Sequence, residues 1–130
     1  IRIEARVVGD IAINHILPTA LRYQSQLIQN VQGLKDILDA KKFKEASSVQ
    51  FEMIKSISSH VKVIKETVEV MINERKRVNK LEDPKEKALQ YSDTVKPMFD
   101  TIRYSVDKLE LMVDDEIWPL PKYRELLFNH

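Results

Sequence analysis

The sequence contains no cysteine, only two glycines, five prolines and a single tryptophan among its 130 residues. Without cysteine the chain can form neither a disulfide nor a thiolate metal site, which is typical of a cytoplasmic protein. Two glycines are too few for a glycine-rich loop that cradles phosphate. No apolar run approaches the ~20 residues that a membrane-spanning helix requires, so we expect no membrane partner.

The charged residues are balanced in sign, with 21 Lys and Arg against 20 Asp and Glu, a net charge of +1. This balance gives no overall field to attract nucleic acid, so we expect no nucleic-acid partner. The length and the 43% hydrophobic content predict a single helical globular domain. The opening stretch IRIEARVVGD lies within an amphipathic pattern and has no signal-peptide features, which predicts a fragment of a longer chain.

Apolar residues recur at steps of three and four over three segments, which predicts helices at about residues 3–38, 48–80 and 84–114. Helices of roughly 30 residues span ~45 Å, and short connections make neighbours antiparallel. We therefore predict an all-α fold, an antiparallel up-down-up bundle of three long helices. A proline-containing docking segment would come next, at residues 115–130.

Local signals mark the helix starts. Asp83 is a predicted N-cap, with Pro84 at the first helical position. Ser47 or Ser48 is predicted to cap the second helix. The buried stripe of the third helix is predicted at Ala88, Ser92, Val95, Phe99, Ile102, Val106, Leu109 and Val113.

Two prolines fall inside predicted helices. Pro18 removes a backbone donor and crowds the carbonyl of Asn14, and Pro97 does the same to Asp93. Each predicts a bend.

Catalytic and metal-binding patterns are missing. His15 and His60 are predicted to lie too far apart to share a site, and His130 is terminal, so we interpret all three as surface or core-edge residues. The basic run at 74–77 lacks interleaved aromatic residues, and we interpret it as a solvated helix end. We predict no catalytic, cofactor-binding or metal residue, and no enzymatic activity for the fragment alone.

The closing stretch DDEIWPLPKYRELLF, residues 114–128, is apolar where a solvent-exposed tail would be polar. Proline restricts the residue before it to extended backbone, so the segment would stay extended and then begin a short helical turn. Fully burying side chains of this size is worth roughly 1.5–3 kcal/mol each. The predicted docking residues are Trp118, Pro119, Leu120, Pro121, Tyr123, Leu126, Leu127 and Phe128. They would pack either on their own bundle or on a neighbouring domain.

Three stretches together resemble the C-terminal region of the type III glutamine synthetases, the large-subunit bacterial form. They are IEARVVGDIAINHILPTALRYQ at residues 3–24, QNVQGLKD at 29–36 and the closing stretch at 114–128. The resemblance covers the whole chain, tightly at both ends and loosely over residues 40–92.

The resemblance implies a parent enzyme that joins ammonia to glutamate using ATP and a divalent metal, Mg or Mn. Its catalytic domain would lie upstream of Ile1, and its subunits would form ringed oligomers. The fragment's partners would then be that domain and neighbouring subunits, and its role would be assembly or regulation. The alternative hypothesis is a free-standing three-helix protein-interaction module. A bundle with its own enzymatic activity would need more polar residues in its stripes than Tyr23, Arg75 and Ser92 provide.

Overall fold

A computed structural model describes residues 9–113 of the chain. All the regular structure in this part is helical, so the all-α prediction is confirmed. Its elements are a π-helical turn at Ala12–Ile16, α1 at Leu17–Ile37, α2 at Ala40–Ala46, α3 at Ser48–Asn79, α4 at Pro84–Gln90, a second π-helical turn at Tyr91–Val95, and α5 at Lys96–Met112. Among the helices of this range, none combines the length and the apolar character needed to cross a membrane.

The first π-helical turn sits directly before Pro18. The amide of Leu17 donates to the carbonyl of Ala12, five residues back. This wider turn makes room for the proline ring, which would clash with a carbonyl in a regular α-helix. The hydroxyl of Thr19, the residue after the proline, donates to the carbonyl oxygen of His15 at 2.8 Å.

The predicted connection at residues 39–48 holds a short helix, α2, that the sequence did not predict. The Asp39 carboxylate caps it by accepting from the amide of Lys42 at 2.9 Å. Ser47 occupies the N-cap position of α3, as predicted, but the expected capping hydrogen bond is not formed, because neither serine hydroxyl meets the amides of α3. Ser47 Oγ donates back to the carbonyl of Phe43 and Ser48 Oγ to that of Glu45.

The Asp83 cap is confirmed, since its carboxylate accepts from the amide of Lys85 at 3.1 Å. From Pro84 the chain remains helical through α4, the second π-helical turn and α5. The amide of Lys96, just before Pro97, donates to the carbonyl of Tyr91, again five residues back.

This second turn corrects the predicted stripe. Ala88 and Ser92 are exposed, whereas the stripe from Val95 onward holds. A π-helical turn inserts one extra residue, which rotates the residues before it by about a quarter turn relative to those after it. Lys87 is accordingly half-buried in place of Ala88.

The core lies along α3, which packs against α1 and α5. Its fully buried apolar side chains come from both π-helical turns and from α1, α3 and α5. They are Ala12, Ile16, Ala20, Ile57, Ile64, Val68, Met71, Val78, Val95, Ile102, Val106 and Leu109. Near the start of the described range Gly9 lies so close to α3 that a Cβ there would stand 3.2 Å from Val68 Cγ1.

Polar contacts fix how α3 meets its neighbours. Gln24 of α1 donates to the carbonyl of Ile54 at 2.9 Å and to Ser58 Oγ at 2.7 Å. On another side of α3, Nδ1 of His60 lies 3.1 Å from Ser105 Oγ of α5.

Candidate functional site

The eight predicted docking residues, Trp118 to Phe128, lie outside the described residues, and their role stays a prediction. Within residues 9–113 a groove of about 440 Å³ lies between α3 and α5. Its lining consists of Ser59, His60, Val63, Asp100, Thr101, Tyr104 and Ser105.

His60 is the central polar group of this groove. Its ring meets the Tyr104 ring edge-on at 6.3 Å, and Nζ of Lys108 stands 5.2 Å from the centre of that tyrosine ring. Burial lowers the pKa of His60 below its usual value of 6.5, and the positive charge of Lys108 lowers it further. The imidazole is therefore held neutral more firmly than a free histidine at neutral pH.

The His60–Ser105 pair does not have the form of a nucleophilic site. Only 2% of Ser105 is exposed, so no substrate can approach its hydroxyl. A catalytic serine must present its oxygen to the substrate while a base takes its proton. This pair instead serves to join α3 to α5, as expected for a core-edge histidine.

His15 is exposed in the first π-helical turn, away from the α5 contact that holds His60. The structure therefore does not bring these two histidines together. Throughout residues 9–113, no three His, Asp or Glu side chains converge in a way that could hold a metal ion.

In the basic run at 74–77, Arg77 binds neighbouring helical side chains. Arg77 donates to Glu74 Oε2 at 2.8 Å and 3.1 Å and to Gln90 Oε1 at 3.3 Å, linking α3 to the end of α4. The hydrogen bond from Arg77 is the main reason that the pKa of Glu74 is lowered. This guanidinium stabilises the turn between two helices, which agrees with the interpretation of a helix end.

Arg75, the charged residue in the stripe of α3, is half-buried, and its Nε has no hydrogen-bond partner. A side chain of this kind can carry its charged end to water past a buried stem, and that role for Arg75 stays a prediction.

Sequence reasoning missed two acidic residues of α5. Glu110 is only 4% exposed, and Oδ1 of Asp107 is buried without a hydrogen-bond partner. Buried carboxylates are costly unless charges or donors compensate them. Their positions beside Val106 and Leu109 were the available signal, because residues that flank a buried stripe become buried when another segment covers them.

Comparisons with known proteins give the same family as the end motifs. A profile for the glutamine synthetase C-terminal domain matches residues 1–35. A glutamine synthetase from Bacteroides fragilis is 48% identical over 129 residues, covering 99% of this chain and 18% of the relative. A type-3 glutamine synthetase from Dictyostelium discoideum is 24% identical over 128 residues, covering 98% of this chain and 17% of the relative.

The chain thus spans less than a fifth of the length of these relatives, while they match nearly all of it. The match extends from the first motif through the helices to the closing stretch. The resemblance predicted from the motifs is confirmed: the chain is related to the C-terminal region of the type III glutamine synthetases.

Proposed function

We propose that this chain is a non-catalytic C-terminal helical domain of a glutamine synthetase and serves the assembly or regulation of its parent enzyme. The observation that carries the proposal is the match of 99% of this chain to only 18% of a glutamine synthetase. The parent would join ammonia to glutamate with ATP in the cytoplasm, and its catalytic domain would lie upstream of Ile1.

Residues 9–113 offer no group of side chains that suits ATP or a divalent metal. Gly9 and Gly33, its two glycines, both lie within helical backbone and so form no phosphate-binding loop. Carboxylates in residues 9–113 do not converge into a metal site. ATP and Mg or Mn would therefore bind elsewhere in the parent, and no catalytic step is assigned to this chain.

The proposed architecture is an up-down-up bundle of three long helices. In support, residue numbers rise along α1 as they fall along α3, since Gln24 meets Ser58 while Asn30 meets Gln50. The same holds between α3 and the helix after it, where His60 meets Ser105 and Arg77 meets Gln90. A rigid bundle of this kind is suited to hold one surface at a fixed distance from the catalytic domain.

The proposed partners are the upstream catalytic domain and neighbouring subunits of an oligomer. Exposed apolar side chains on the bundle suit such contacts. They include Leu21, Ile37, Phe51, Val70 and Leu111, which are between 42% and 77% exposed. The docking segment at residues 118–128 would fasten the C-terminal end of the bundle.

The test is to express the parent protein with and without residues 1–130 and to compare two properties. One is the ATP-dependent formation of γ-glutamyl product per subunit, and the other is the mass of the assembled particle. We expect each truncated subunit still to form the γ-glutamyl product. We expect the assembly of the particle, or the regulation of its activity, to be lost or altered.

Two results would contradict the proposal. Loss of product formation in a particle of unchanged mass would show that this region takes part in catalysis. A native subunit close to 15.2 kDa, recovered with an antibody against residues 118–128, would instead favour the free-standing interaction module.

A further inference from the structure

The exposed surface of α1 differs in charge from the rest of the chain. Charged residues make up 32% of the sequence, yet Arg22 is the only one between Asp10 and Lys35. The exposed face of α3 carries ion pairs instead, such as Lys65–Glu69. A helix that faces water normally places charged side chains on its outer side. On α1 most of the outer polar residues are uncharged amides and hydroxyls.

An uncharged row runs along this outer surface. Leu21, Ser25, Ile28 and Gln32 follow one another at steps of four, three and four, which places them on one side of the helix. All four are exposed, and Leu21 and Ile28 keep 46% and 42% of their surfaces in contact with water. We refer to these four residues as the α1 row.

Hydrogen bonds already made within the chain prepare the α1 row for burial. The hydroxyl of Ser25 donates to the carbonyl of Leu21 at 3.1 Å, so covering this serine would cost no hydrogen bond. Gln24, next to the row, donates to Ile54 and Ser58 of α3, which fixes the rotation of α1 and hence the direction that the row faces.

The composition of the α1 row matches the centre of a protein–protein interface. Such centres are depleted of charged residues, because a charge withdrawn from water without a partner is costly. The surface that covers the row should therefore be uncharged and partly apolar as well. A second α1 row meets this requirement, because an uncharged surface meets its own copy without repulsion between like charges.

The charges at the two ends of the row favour antiparallel pairing. A parallel pair would place Lys35 beside Lys35 and Arg22 beside Arg22 of the other copy. An antiparallel pair separates these like charges and brings the Lys35 end of one α1 towards the Asp10 end of the other. With Leu21 against Ile28, the two-fold axis passes between residues 24 and 25, and both copies make the same contacts.

We propose that the α1 row is a dimerisation surface, on which two copies of this chain pack their α1 helices antiparallel with Leu21 of each against Ile28 of the other. This gives the proposed assembly role a specific contact. It does not depend on that role, because it concerns the chain by itself. Truncation of the parent and dimerisation of the chain can therefore fail separately.

The dimer should be weak. Each α1 has 21 residues and is ~30 Å long, so one helix pair buries an area at the low end of specific interfaces, near about 1,200 Å². We expect a dissociation constant in the micromolar range. Sedimentation equilibrium of the 130-residue chain over a concentration series should show a species of twice 15.2 kDa.

Charged substitutions test which surface forms the dimer. Leu21→Glu with Ile28→Glu should raise the dissociation constant at least about tenfold, because four carboxylates would be withdrawn from water together. The matched control is Val63→Glu with Val70→Glu on α3, which has the same spacing and exposures of 36% and 50%. The control should leave the dissociation constant within about twofold, and helical circular dichroism should be unchanged in both variants.

Single cysteines test the pairing direction, since the chain has none of its own. Ser25→Cys lies beside the proposed axis, so two copies should form a disulfide under mild oxidation. The control is Gln32→Cys on the same row, where the two residues 32 would stand ~22 Å apart along the helices. A disulfide needs Cα atoms within about 7 Å, so Ser25→Cys should cross-link at least about tenfold faster.

Three results would overturn the proposal. A monomer at every concentration would leave the α1 row to another part of the parent protein. Equal cross-linking rates at positions 25 and 32 would indicate parallel pairing or random collision. A dimer that is lost with Val63→Glu and Val70→Glu but kept with Leu21→Glu and Ile28→Glu would move the interface to the groove between α3 and α5.

Discussion

The two π-helical turns solve one local problem in two settings. Each ends two residues before a proline, Pro18 or Pro97, and in each the residue just before the proline donates its amide five residues back. The first turn lies at the start of the described helix and contributes the buried residues Ala12 and Ile16. The second has a whole short helix, α4, on its far side.

That difference decides how far the effect spreads. An extra residue in a helical turn shifts the facing of all residues on one side relative to the other. Around the first turn, Ala12 and Ile16 within it and Ala20 after it are all buried. Around the second, α4 is rotated as a unit, which exposes Ala88, and Ser92 within the turn is exposed as well. A proline in a helix therefore changes not only its own hydrogen bond but also the register of the segment before it.

The largest expected effect is the loss of stability when the buried last residue of each π-helical turn is replaced by alanine. Ile16→Ala should lower the free energy of unfolding by about 2–5 kcal/mol, because it leaves a cavity at a fully buried site. Val95→Ala, at the second turn, removes fewer atoms and should cost less. Urea unfolding of the 130-residue chain checks both. Equal costs, or a larger cost for Val95, would show that the second turn is the more tightly packed of the two.

Replacing the proline at the second turn should change the facing of α4. Pro97→Ala restores an amide donor and removes the ring, so a regular helix becomes favourable by up to ~3 kcal/mol at that position. The stripe would then continue through position 88. With Ala88→Cys as a reporter, we expect thiol labelling to slow severalfold in the Pro97→Ala background.

The control for that experiment is Lys87→Cys, whose labelling should become faster under the same change. Unaltered rates at both positions would mean that tertiary packing, and not the proline, holds the π-helical turn.

The two glycines offer a smaller contrast. Gly33 has open space around its Cα and lies within α1, one turn before its end, so Gly33→Ala should stabilise the chain by about 0.5–1 kcal/mol. Gly9→Ala gains the same helix preference but must displace the stiff, buried Val68 from 3.2 Å. Its net effect should be smaller or of opposite sign. Thermal unfolding of both variants measures the difference, and identical stabilisation would show that α3 yields at this contact.

The smallest expected effect is a dependence of stability on pH, which arises at the contact between α3 and α5. The folded chain lowers the pKa of His60 below 6.5, so the unfolded chain binds a proton there more readily. Stability is therefore retained above pH 6.5 and is lost as the pH falls through the lowered folded-state pKa. Urea unfolding from about pH 7.5 to pH 5 should show a shallower decline for His60→Gln than for the unaltered chain. Equal declines for the two chains would contradict this role of His60.

Patterns in the sequence predicted much of the fold because long, regular helices leave regular traces. The α3 stripe from Ile57 to Val78 and the Asp83 cap depend on neighbours within a turn or two. The register break before Val95 could not be predicted, because sequence periodicity does not distinguish a bent α-helix from a π-helical turn. The same limit applied to Ser47 and Ser48, whose hydroxyls find acceptors in α2, a helix that no clear periodic pattern announces.

The candidate site was less predictable than the fold. Family motifs identified the relatives but pointed to residues 114–128, beyond the described range. The burial of Glu110 depends on which segments meet along α5, and a composition of balanced charges contains no trace of that. Tertiary packing, not local sequence preference, determines which of the 20 acidic residues become buried.

The position of α3 between its two neighbours has a consequence for the dynamics of the domain. Because α1 and α5 each rest on α3 and touch each other little, either can separate while the other remains in place. Amide hydrogens in the middle of α3, around Ile64, are then released to solvent only when both contacts open, and they should exchange more slowly than those of either flanking helix. The domain would behave as two helical pairs that share one member, so strain applied to one pair can be absorbed there without unfolding the other.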